Sequence, residues 1–511
     1  MEEGHETRCP KPNGIVYVHY TGRLIDGTVF DTTEGESLPA LFVVRDLIMG
    51  CRMRKKAEAE GFEPPVPFGT TVFKTAAIDH SATPPERDCK VTENICFFSF
   101  SSYFCLCMRK WLTLILFAFL SLAAWAQTDT LRLGYSVRGR VKDAQTGRAL
   151  ESVHVSVPGR HYATVTNADG EFVLKSNTPI DAVLFTFLGY KSQRVSAKDQ
   201  MSVALVREAI TLPEALIIGG DPIDILQEAL SLLPETYCPQ PELLECFYRE
   251  TVQKRSRYTY VAEAVARLYR DQFEQSPYNH DASALEKSRL LVSQRRSDTL
   301  SVKTQGGPQM ALNCDFLKNP ELLFSPSELN LYRLEMQTPV RIGDRLQYVI
   351  RLTPAVEAPY ALYHALVYID RENLTFTRIE ASLDMSDRSK AIHAILVSKP
   401  MSLRFFPEEA SVVLNYRPVG NKIRLEYFRS TIRFACDWRK RLFKTHYTAV
   451  NELVVTDVRP EAVPISRKER FRTTDYLNDK AQEFLDPDFW KDYNIIEPSE
   501  SLEHAINRLK K

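Results

Sequence analysis

The chain has 511 residues, of which 25% are charged and 44% are hydrophobic, and this length predicts more than one domain. Its 65 basic and 65 acidic side chains balance to a formal charge of zero, which gives no electrostatic reason to expect binding to nucleic acid or to an anionic membrane. Ten cysteines are too few for a disulfide scaffold, and 20 glycines are too few for a collagen-like chain.

The first recognisable pattern lies between Gly14 and Gly50, where alternating apolar residues and an Asp-Gly turn predict two strands. The strings Val18–Gly22 and Asp26–Asp31 resemble the FKBP-type prolyl isomerases. This resemblance implies an isomerase pocket formed by Tyr20, Phe30, Asp31 and Ile48.

A complete isomerase is nevertheless not expected in residues 1–107. Cys51 stands where the FKBP family places the tryptophan floor of its pocket, and about 40 residues rarely close a hydrophobic core. The stretch from Gly61 to Pro85 has no helical or strand period and resembles tRNA genes translated by mistake. We therefore expect residues 1–107 to be an FKBP-like fragment joined to non-native read-through, and a prolyl isomerase carried by this fragment is the alternative function.

A secretory signal pattern begins at Met108. Arg109 and Lys110 form its basic region, and the apolar run from Trp111 to Ala126 ends in small residues typical of a cleavage site. A bilayer span needs about 20 residues, so this run is short for a membrane anchor. The alternatives are an uncleaved signal anchor or a buried helix. The sequence predicts a signal peptide at 108–126, with Met108 as the true start, and export to the periplasm or the outer membrane.

Residues 127–219 show short alternating runs separated by Gly, Asn and Asp turns, which predict a small β-sandwich. The predicted strands are Ser136–Asp143, Val153–Val157, Tyr162–Thr166, Glu171–Leu174, Val183–Phe187, Ser202–Val206 and Ala215–Ile218. The motifs in Gly139–Gly147, Val165–Phe172 and Phe187–Tyr190 resemble the carboxypeptidase regulatory-like domain, a transthyretin-like sandwich. The resemblance implies an envelope or outer-membrane protein and no peptidase activity.

A turn at Asn167, Asp169 and Gly170 is predicted to close a tight hairpin within the sandwich. Asp169-Gly170 supplies the position of positive φ that such a turn requires. Turn chemistry explains Asn167 and Asp169 better than cation binding does. The ten histidines show no His-x-x-Glu zinc pair, so we expect no metal and no cofactor.

Residues 220–511 are rich in tyrosine and β-branched residues, which predict one curved, mainly antiparallel sheet from Phe247 to Asp457. Asp221 is expected to cap a helix that starts at Pro222, because an acidic cap followed by proline is a typical helix start. Predicted helices lie at Ile223–Leu233, Met310–Leu317, Ser327–Leu331 and Ser501–Lys511, and Ala391–Val397 is predicted to be a strand. The predicted fold class is mainly β, a transthyretin-like sandwich followed by a larger half-barrel-like sheet domain with few helices.

Alternation within this sheet suggests a concave groove lined by Tyr348, Ile350 and Tyr368. The strand pair that carries these residues faintly resembles the half-barrel of periplasmic lipoprotein carriers, which implies an apolar ligand. A sheet with a filled core is the other possibility. The four cysteines of this region, Cys238, Cys246, Cys314 and Cys436, allow three disulfide pairings after export, or they are reduced and buried.

No catalytic or nucleotide-binding fingerprint appears in the chain. We therefore expect a non-enzymatic cell-envelope protein with a binding or structural role. Its partner is predicted to be an envelope protein or an apolar ligand. Nucleic acid is not expected as a partner, and contact with a membrane is expected only through the signal segment or an outer-membrane partner.

Overall fold

The computed structural model describes residues 134–208, 220–273, 280–295, 298, 300–438, 444–486 and 493–509, together with the backbone of five earlier strands. The chain divides into two compact units, Met1–Gly69 and Thr70–Lys511. In the first unit, β1 (Ile15–Val18) pairs with β4 (Ala40–Val43), and β2 (Thr21–Arg23) pairs with β3 (Val29–Thr32). Both pairs are antiparallel.

Strand β5 (Ala76–His80) belongs to the second unit. It pairs antiparallel with β16 (Leu300–Lys303) and parallel with β21 (Leu396–Ser398). The stretch from Gly61 to Pro85, in which the sequence shows no helical or strand period, therefore contains a strand at Ala76–His80. The residues of this strand show no clear alternation of apolar and polar side chains. It is a strand because it pairs with two strands from distant parts of the chain.

Residues 135–205 form a sandwich of two sheets, as the sequence predicts. Its strands are β6 (Tyr135–Asp143), β7 (His154–Ser156), β8 (Ala163–Val165), β9 (Glu171–Ser176), β10 (Ala182–Thr186), β11 (Gln193–Ser196) and β12 (Gln200–Leu205). One sheet has the order β11-β10-β7-β8, and the other has the order β12-β6-β9 with β12 parallel to β6. Strand β11 was not predicted, and the predicted strand Ala215–Ile218 lies outside the described residues.

The core of the sandwich is filled by alternate apolar residues from both sheets. Along β6, Val137 and Val141 are buried while Arg138 and Arg140 are exposed, which is the period of two expected of a strand with one solvated face. Phe172 from one sheet and Phe185 from the other meet edge to face, with ring centroids 5.4 Å apart. This packing holds the two sheets together.

The larger domain is built on one antiparallel sheet of ten strands. The strands are β13 (Glu242–Lys254), β14 (Arg257–Arg270), β15 (Ala282–Val292), β17 (Tyr332–Ile342), β18 (Arg345–Pro354), β19 (Tyr363–Asp370), β20 (Phe376–Leu383), β22 (Leu403–Val419), β23 (Lys422–Trp438) and β24 (Thr445–Arg459). Their order is β15-β14-β13-β24-β23-β22-β20-β19-β18-β17, so β13 and β24, the first and last of these strands in the sequence, are neighbours in the sheet. The predicted fold class, mainly β with few helices, is confirmed.

Seven α-helices lie within the described residues. They are α1 (Pro222–Ser231), α2 (Leu233–Thr236), α3 (Gln309–Asn313), α4 (Pro326–Leu329), α5 (Arg388–Ile395), α6 (Leu477–Lys480) and α7 (Glu500–Leu509). Leu226 of α1 and Met310 of α3 are buried in the core on one face of the sheet, as predicted. Asp221 caps α1 by accepting a hydrogen bond from the backbone N–H of Ile223 at 3.0 Å, and Pro222 takes the first helical position.

The predicted strand Ala391–Val397 is wrong, because most of this segment forms α5. The Oδ1 atom of Asp387 accepts from the backbone N–H groups of Ser389 at 2.8 Å and Lys390 at 3.1 Å, which is helix capping. Ala391, Ala394 and Ile395 then repeat at helical spacing and are buried in the core. In a segment this short, the capping Asp387 is a better indicator of a helix than β-branched residues are of a strand.

Candidate binding cleft

The turn at Asn167, Asp169 and Gly170 joins the two sheets of the sandwich. The Oδ1 atom of Asn167 accepts from the backbone N–H groups of Asp169 at 2.9 Å and Glu171 at 2.8 Å. Gly170 has a φ of +74°, and its carbonyl oxygen accepts from the N–H of Val141 at 2.8 Å. Because β8 pairs with β7 and β9 pairs with β6, the turn carries the chain from one sheet to the other. The expectation of a hairpin at this turn is therefore corrected.

The same turn holds a segment from the far end of the chain, residues 493–499, which we call the C-terminal strap. Asn167 donates from Nδ2 to the carbonyl oxygen of Pro498 at 3.1 Å. Asp169 accepts through Oδ2 from the backbone N–H of Glu500 at 2.7 Å. Glu500 is the first residue of α7, so the carboxylate satisfies a terminal N–H and lies at the positive end of the helix dipole. The turn thus anchors the last helix.

The C-terminal strap also lies along β9. The backbone N–H of Lys175 donates to Oδ1 of Asn494 at 2.7 Å, and Nδ2 of Asn494 donates to the Lys175 carbonyl oxygen at 3.0 Å. Thr164 donates from its hydroxyl to the carbonyl oxygen of Ile495 at 2.9 Å. The side chain of Asn494 therefore pairs with the backbone of β9 much as a neighbouring strand would.

The strap packs on the large sheet as well. Ile495 and Ile496 are buried in one cluster with Phe247 and Val454, which belong to β13 and β24. The guanidinium of Arg249 donates to the carbonyl oxygen of Ile496. The contact buries apolar side chains, and the Ile496 carbonyl beside them has a hydrogen-bond partner. Burial therefore leaves this polar group paired, and the contact is stabilising. The strap therefore attaches the sandwich to the large sheet.

Ion pairs add a direct contact between the sandwich and the large sheet. His154 of β7 lies with Nε2 3.0 Å from Oε1 of Glu426, and both side chains are nearly buried. Burial acts to raise the pKa of Glu426, but His154 and Arg417 outweigh it and hold this pKa below its usual value. At the rim, Arg429 pairs with Glu151 at 2.7 Å. The sandwich thus contacts the sheet directly through these polar side chains as well as through the strap.

A cleft of about 660 Å³ opens beside the strap, over the outer face of the sheet β12-β6-β9. Since side chains alternate along a strand, the exposed residues of β6 line this cleft while their neighbours fill the core. The lining residues are Arg138, Gly139, Arg140, Glu171, Phe172, Val173, Gln200, Met201, Ser202, Glu497, Pro498 and Glu503.

The cleft carries charges of both signs. Nη2 of Arg140 lies 2.9 Å from Oε1 of Glu171, but both side chains are about half exposed. This ion pair therefore contributes little to stability, and either side chain can instead pair with a charged group of a ligand. Burial raises the pKa of Glu497. Strand β12 is an edge of its sheet, and edge strands offer unpaired backbone groups to an added strand. The cleft therefore suits an extended polypeptide that carries charges of both signs.

The residues predicted to line an apolar groove lie on two different faces of the large sheet. Tyr348 pairs with Ile369, and Ile350 pairs with Val367, on the face that forms the core, where Ile350 is fully buried. Tyr368 pairs with Val349 on the opposite face, where its hydroxyl donates to Oε1 of Glu380 at 3.2 Å. The prediction that one groove is lined by all three is corrected, because the strand register places Tyr368 on the face opposite Tyr348 and Ile350.

The residues of the predicted isomerase pocket are only partly described. Phe30 and Asp31 lie in β3, and Tyr20 and Ile48 lie outside the described residues. The signal segment at 108–126 also lies outside the described residues. These two predictions stay predictions.

Cys238, Cys246, Cys314 and Cys436 are all free and buried. Of the alternatives, the structure therefore shows reduced, buried thiols and not a disulfide pairing. Burial raises the pKa of Cys238 and of Cys436 to about 12. Thiols of this kind are poor nucleophiles, so we assign them to packing.

A buried group of charged side chains lies at one end of the large sheet. The carboxylate of Asp315 accepts from Arg270 at 2.6 Å and from the hydroxyls of Tyr237 and Tyr416, the latter at 2.9 Å. Arg270 also donates to Asp281 at 2.8 Å. The Asp315 carboxylate is fully enclosed by its own partners, so the group braces the strands and leaves no approach for a substrate.

Within the described part of the chain, no group of three or more His, Cys, Asp or Glu side chains is placed to hold a metal ion. None of the helices described is both long enough and apolar enough to cross a membrane. The C-terminal strap was not singled out as a functional segment from the sequence. In the sequence, the strap is marked by the apolar pair Ile495-Ile496 and by Pro498 before a helix. This pattern does not indicate which part of the chain the strap contacts.

Comparison with known proteins matches residues 137–216 to the family described as the CarboxypepD_reg-like domain. The chain is 36% identical over 108 residues to the TonB-dependent receptor SusC of Bacteroides thetaiotaomicron. That match covers 21% of this chain and 10% of the receptor, so this chain spans about a tenth of the length of that relative.

Solved structures resemble the chain at low identity. A candidate outer membrane lipoprotein-sorting protein domain from Vibrio parahaemolyticus is 12% identical, with a TM-score of 0.22, over 48% of this chain and 96% of that domain. A membrane-associated protein of unknown function from Bacteroides fragilis is 8% identical, with a TM-score of 0.12, over 63% of this chain and 98% of that protein.

The matched range coincides with the observed sandwich, whose strands run from Tyr135 to Leu205. The motifs that suggested the resemblance lie on its turns and strands, so the prediction of this domain is confirmed. Residues 137–216 of this chain belong to the family of carboxypeptidase regulatory-like domains.

Proposed function

We propose that this chain is exported to the cell envelope of a Gram-negative bacterium and works there as a non-enzymatic binding protein. The observation that carries the proposal is the cleft beside the C-terminal strap. Arg138 and Arg140 present guanidinium groups and Glu171 and Glu503 present carboxylates next to the edge strand β12. Such a lining suits an extended segment of an envelope protein better than an apolar ligand.

The envelope location is supported by two features of the sequence. The matched domain shares 36% identity with part of a TonB-dependent receptor. The pattern from Met108 to Ala126 is typical of a secretory signal. Export would place the sandwich and its cleft among envelope proteins. Fractionation of native cells, with the protein detected by antibody, tests this location, and recovery in the cytosol alone would contradict it.

Binding at the cleft is tested with a displayed library of extended peptides screened against the full chain. We expect the enriched peptides to carry both acidic and basic residues. The double variant Arg138→Glu and Arg140→Glu should weaken their binding by about tenfold or more, since each 1.4 kcal/mol of lost interaction is a factor of ten. Arg194→Glu is the matched control, because Arg194 is exposed on the other sheet of the sandwich.

Equal loss of binding in both variants would indicate a nonspecific charge effect and would contradict the proposal. Enrichment of purely apolar peptides, unaffected by either variant, would point to another surface.

A further inference from the structure

Strand β5 lies in a slot between two strands of the large domain. Its backbone pairs antiparallel with β16 on one side and parallel with β21 on the other, in the order β16-β5-β21. We call the space between β16 and β21 the strand slot. The register places His80 opposite Leu300 and Ala76 opposite Leu396, so both neighbours fix the direction of the strand between them. The structure thus shows that the strand slot accepts an extended segment.

The two strands that border the slot are anchored by contacts that do not involve β5. In β16, Val302 is buried in the core, and directly after this strand the hydroxyl of Thr304 donates to Oδ1 of Asn451 at 3.2 Å. Strand β21 continues from helix α5, which is buried in the core through Ala391 and Ile395. Both strands therefore keep their positions when β5 leaves the slot.

An empty slot leaves two strand edges that face each other. Neighbouring strands lie about 4.8 Å apart, so β16 and β21 are separated by about 10 Å, which is too far for direct hydrogen bonds between them. Open strand edges are places at which an extended segment adds to a protein. A segment that enters between two edges pairs along both of its sides, so it forms about twice the backbone hydrogen bonds of a segment added to one edge.

The strand that fills the slot belongs to the part of the chain that signal cleavage would remove. Ala76–His80 precedes the signal pattern at Met108–Ala126, so cleavage after Ala126 separates β5 from the mature protein. This step rests on the export that is part of the proposed function. We propose that the strand slot of the exported protein binds an extended segment of another envelope protein, which takes the place of β5 and pairs with β16 and β21.

One position of the bound segment faces the core of the large domain. Directly opposed residues on neighbouring strands point to the same face, and Val302 of β16 is buried, with an exposed fraction of 4%. The position opposite Val302, where β5 has Ile78, therefore requires an apolar residue. The next position, opposite Ser301, points to the other face, and there β5 has Asp79. The partner is thus an extended segment with an apolar residue opposite Val302.

A synthetic peptide that competes with β5 tests the slot in the full chain. The probe is a fluorescent peptide with the sequence of Thr75–Ser81. The double variant Ala77→Pro and Asp79→Pro should release β5, because proline in a central strand removes backbone donors. We expect saturable binding to this variant, and binding at least about tenfold weaker to the unaltered chain, where the tethered β5 competes at high effective concentration. Equal binding to both chains, or no binding to the variant, would overturn the proposal.

Two altered peptides test the orientation of the bound segment. Ile78→Asp in the peptide should weaken binding to the proline variant by about tenfold or more, because this position lies opposite the buried Val302. Asp79→Asn in the peptide is the matched control and should leave binding unchanged, because its position lies opposite Ser301 on the other face. Equal effects of the two replacements would contradict the assigned orientation.

Protein purified from the envelope of the native host separates the slot from export. If the mature chain begins at Gln127, amide hydrogen exchange in β16 and β21 should be fast and should slow when the peptide is added. Exchange that the peptide does not change would overturn the slot and leave export standing. A native chain that keeps Ala76–His80 would contradict export and would also overturn an outside partner for the slot. This measurement decides the proposal even if the proline variant does not fold.

Discussion

At Gly170 the backbone has a positive φ and lies against β6. A Cβ atom at this position would lie 2.3 Å from the carbonyl oxygen of Val141. Gly147 has a similar φ of +70°, but a Cβ atom there would meet nothing within 4 Å. We expect Gly147→Ala to cost about 1 kcal/mol, from the positive φ alone. Gly170→Ala should cost about 2 kcal/mol more, because the clash is with backbone.

Thermal unfolding of the two glycine variants measures this difference. Since the sandwich contacts the large domain, the melting of both should be recorded by circular dichroism. Equal losses of stability at Gly147 and Gly170 would contradict the close approach of the turn to β6.

Burial raises the pKa of Glu250 from its usual 4.5 to about 7. The ionisable groups that face it are Tyr248 and Tyr260, with Cys314 and Asp479 behind them, and burial raises the pKa of both tyrosines well above 10. The folded state thus keeps a proton that the unfolded state releases. Stability should fall as the pH rises from about 4.5 to about 7, by at most about 3 kcal/mol, and then stay level.

Urea unfolding across this pH range tests the role of Glu250. Glu250→Gln cannot release a proton, so its stability should fall less steeply than that of the unaltered chain. Glu503→Gln, on the exposed face of α7, is the control and should keep the original pH profile. A Glu250→Gln profile as steep as the original would show that other groups cause the dependence.

The C-terminal strap is the element that attaches the sandwich to the large sheet. Asn494→Ala removes two hydrogen bonds that the strap makes to the partly buried backbone of Lys175 in β9. We expect a loss of about 1–3 kcal/mol and faster amide hydrogen exchange in both β9 and the strap. Hydrogen exchange followed by mass spectrometry reports both segments in one experiment.

Asn478→Ala is the matched control for the strap, because the Asn478 side chain donates to its neighbour Asp479 at the surface and lies outside the strap. Exchange in β9 should be unchanged in this variant. Unchanged exchange in β9 of Asn494→Ala would mean that the strap does not hold the strand.

At the scale of the whole molecule, β5 is the strand before the signal pattern that the structure describes in contact with the large domain. Ala76–His80 pairs with Leu300–Lys303 and with Leu396–Ser398. The sheet of ten strands does not include this strand, so we expect a chain that starts at Gln127 to fold. Its melting temperature should match that of the full chain. A large decrease would show that the segment before residue 108 is part of the fold.

Export gives a second prediction for the whole chain. If Met108–Ala126 is a cleaved signal, mature protein from the native host begins at Gln127. Mass spectrometry of envelope material identifies that terminus, and full-length protein in the cytosol would contradict export.

Local pattern was enough to predict the sandwich and most of the large sheet. The alternation in Ser136–Asp143 predicted β6 (Tyr135–Asp143), and Asp221-Pro222 predicted the start of α1. These predictions succeeded because each signal lies within a few residues of the element it specifies. The wrong prediction of a strand at α5 arose because the apolar run there is too short to distinguish the helical period of 3.6 residues from the strand period of two.

Tertiary structure alone decided the remaining features. Asn494 and Lys175 are 319 residues apart and meet only because the chain end returns to the sandwich. The register of the large sheet likewise placed Tyr368 on the face opposite Tyr348, and brought Glu250, Asn451 and Ser430 into one row. A sequence pattern specifies which residues alternate along a strand, but it carries no information on which residue of a distant strand lies opposite. That choice depends on packing across the whole sheet.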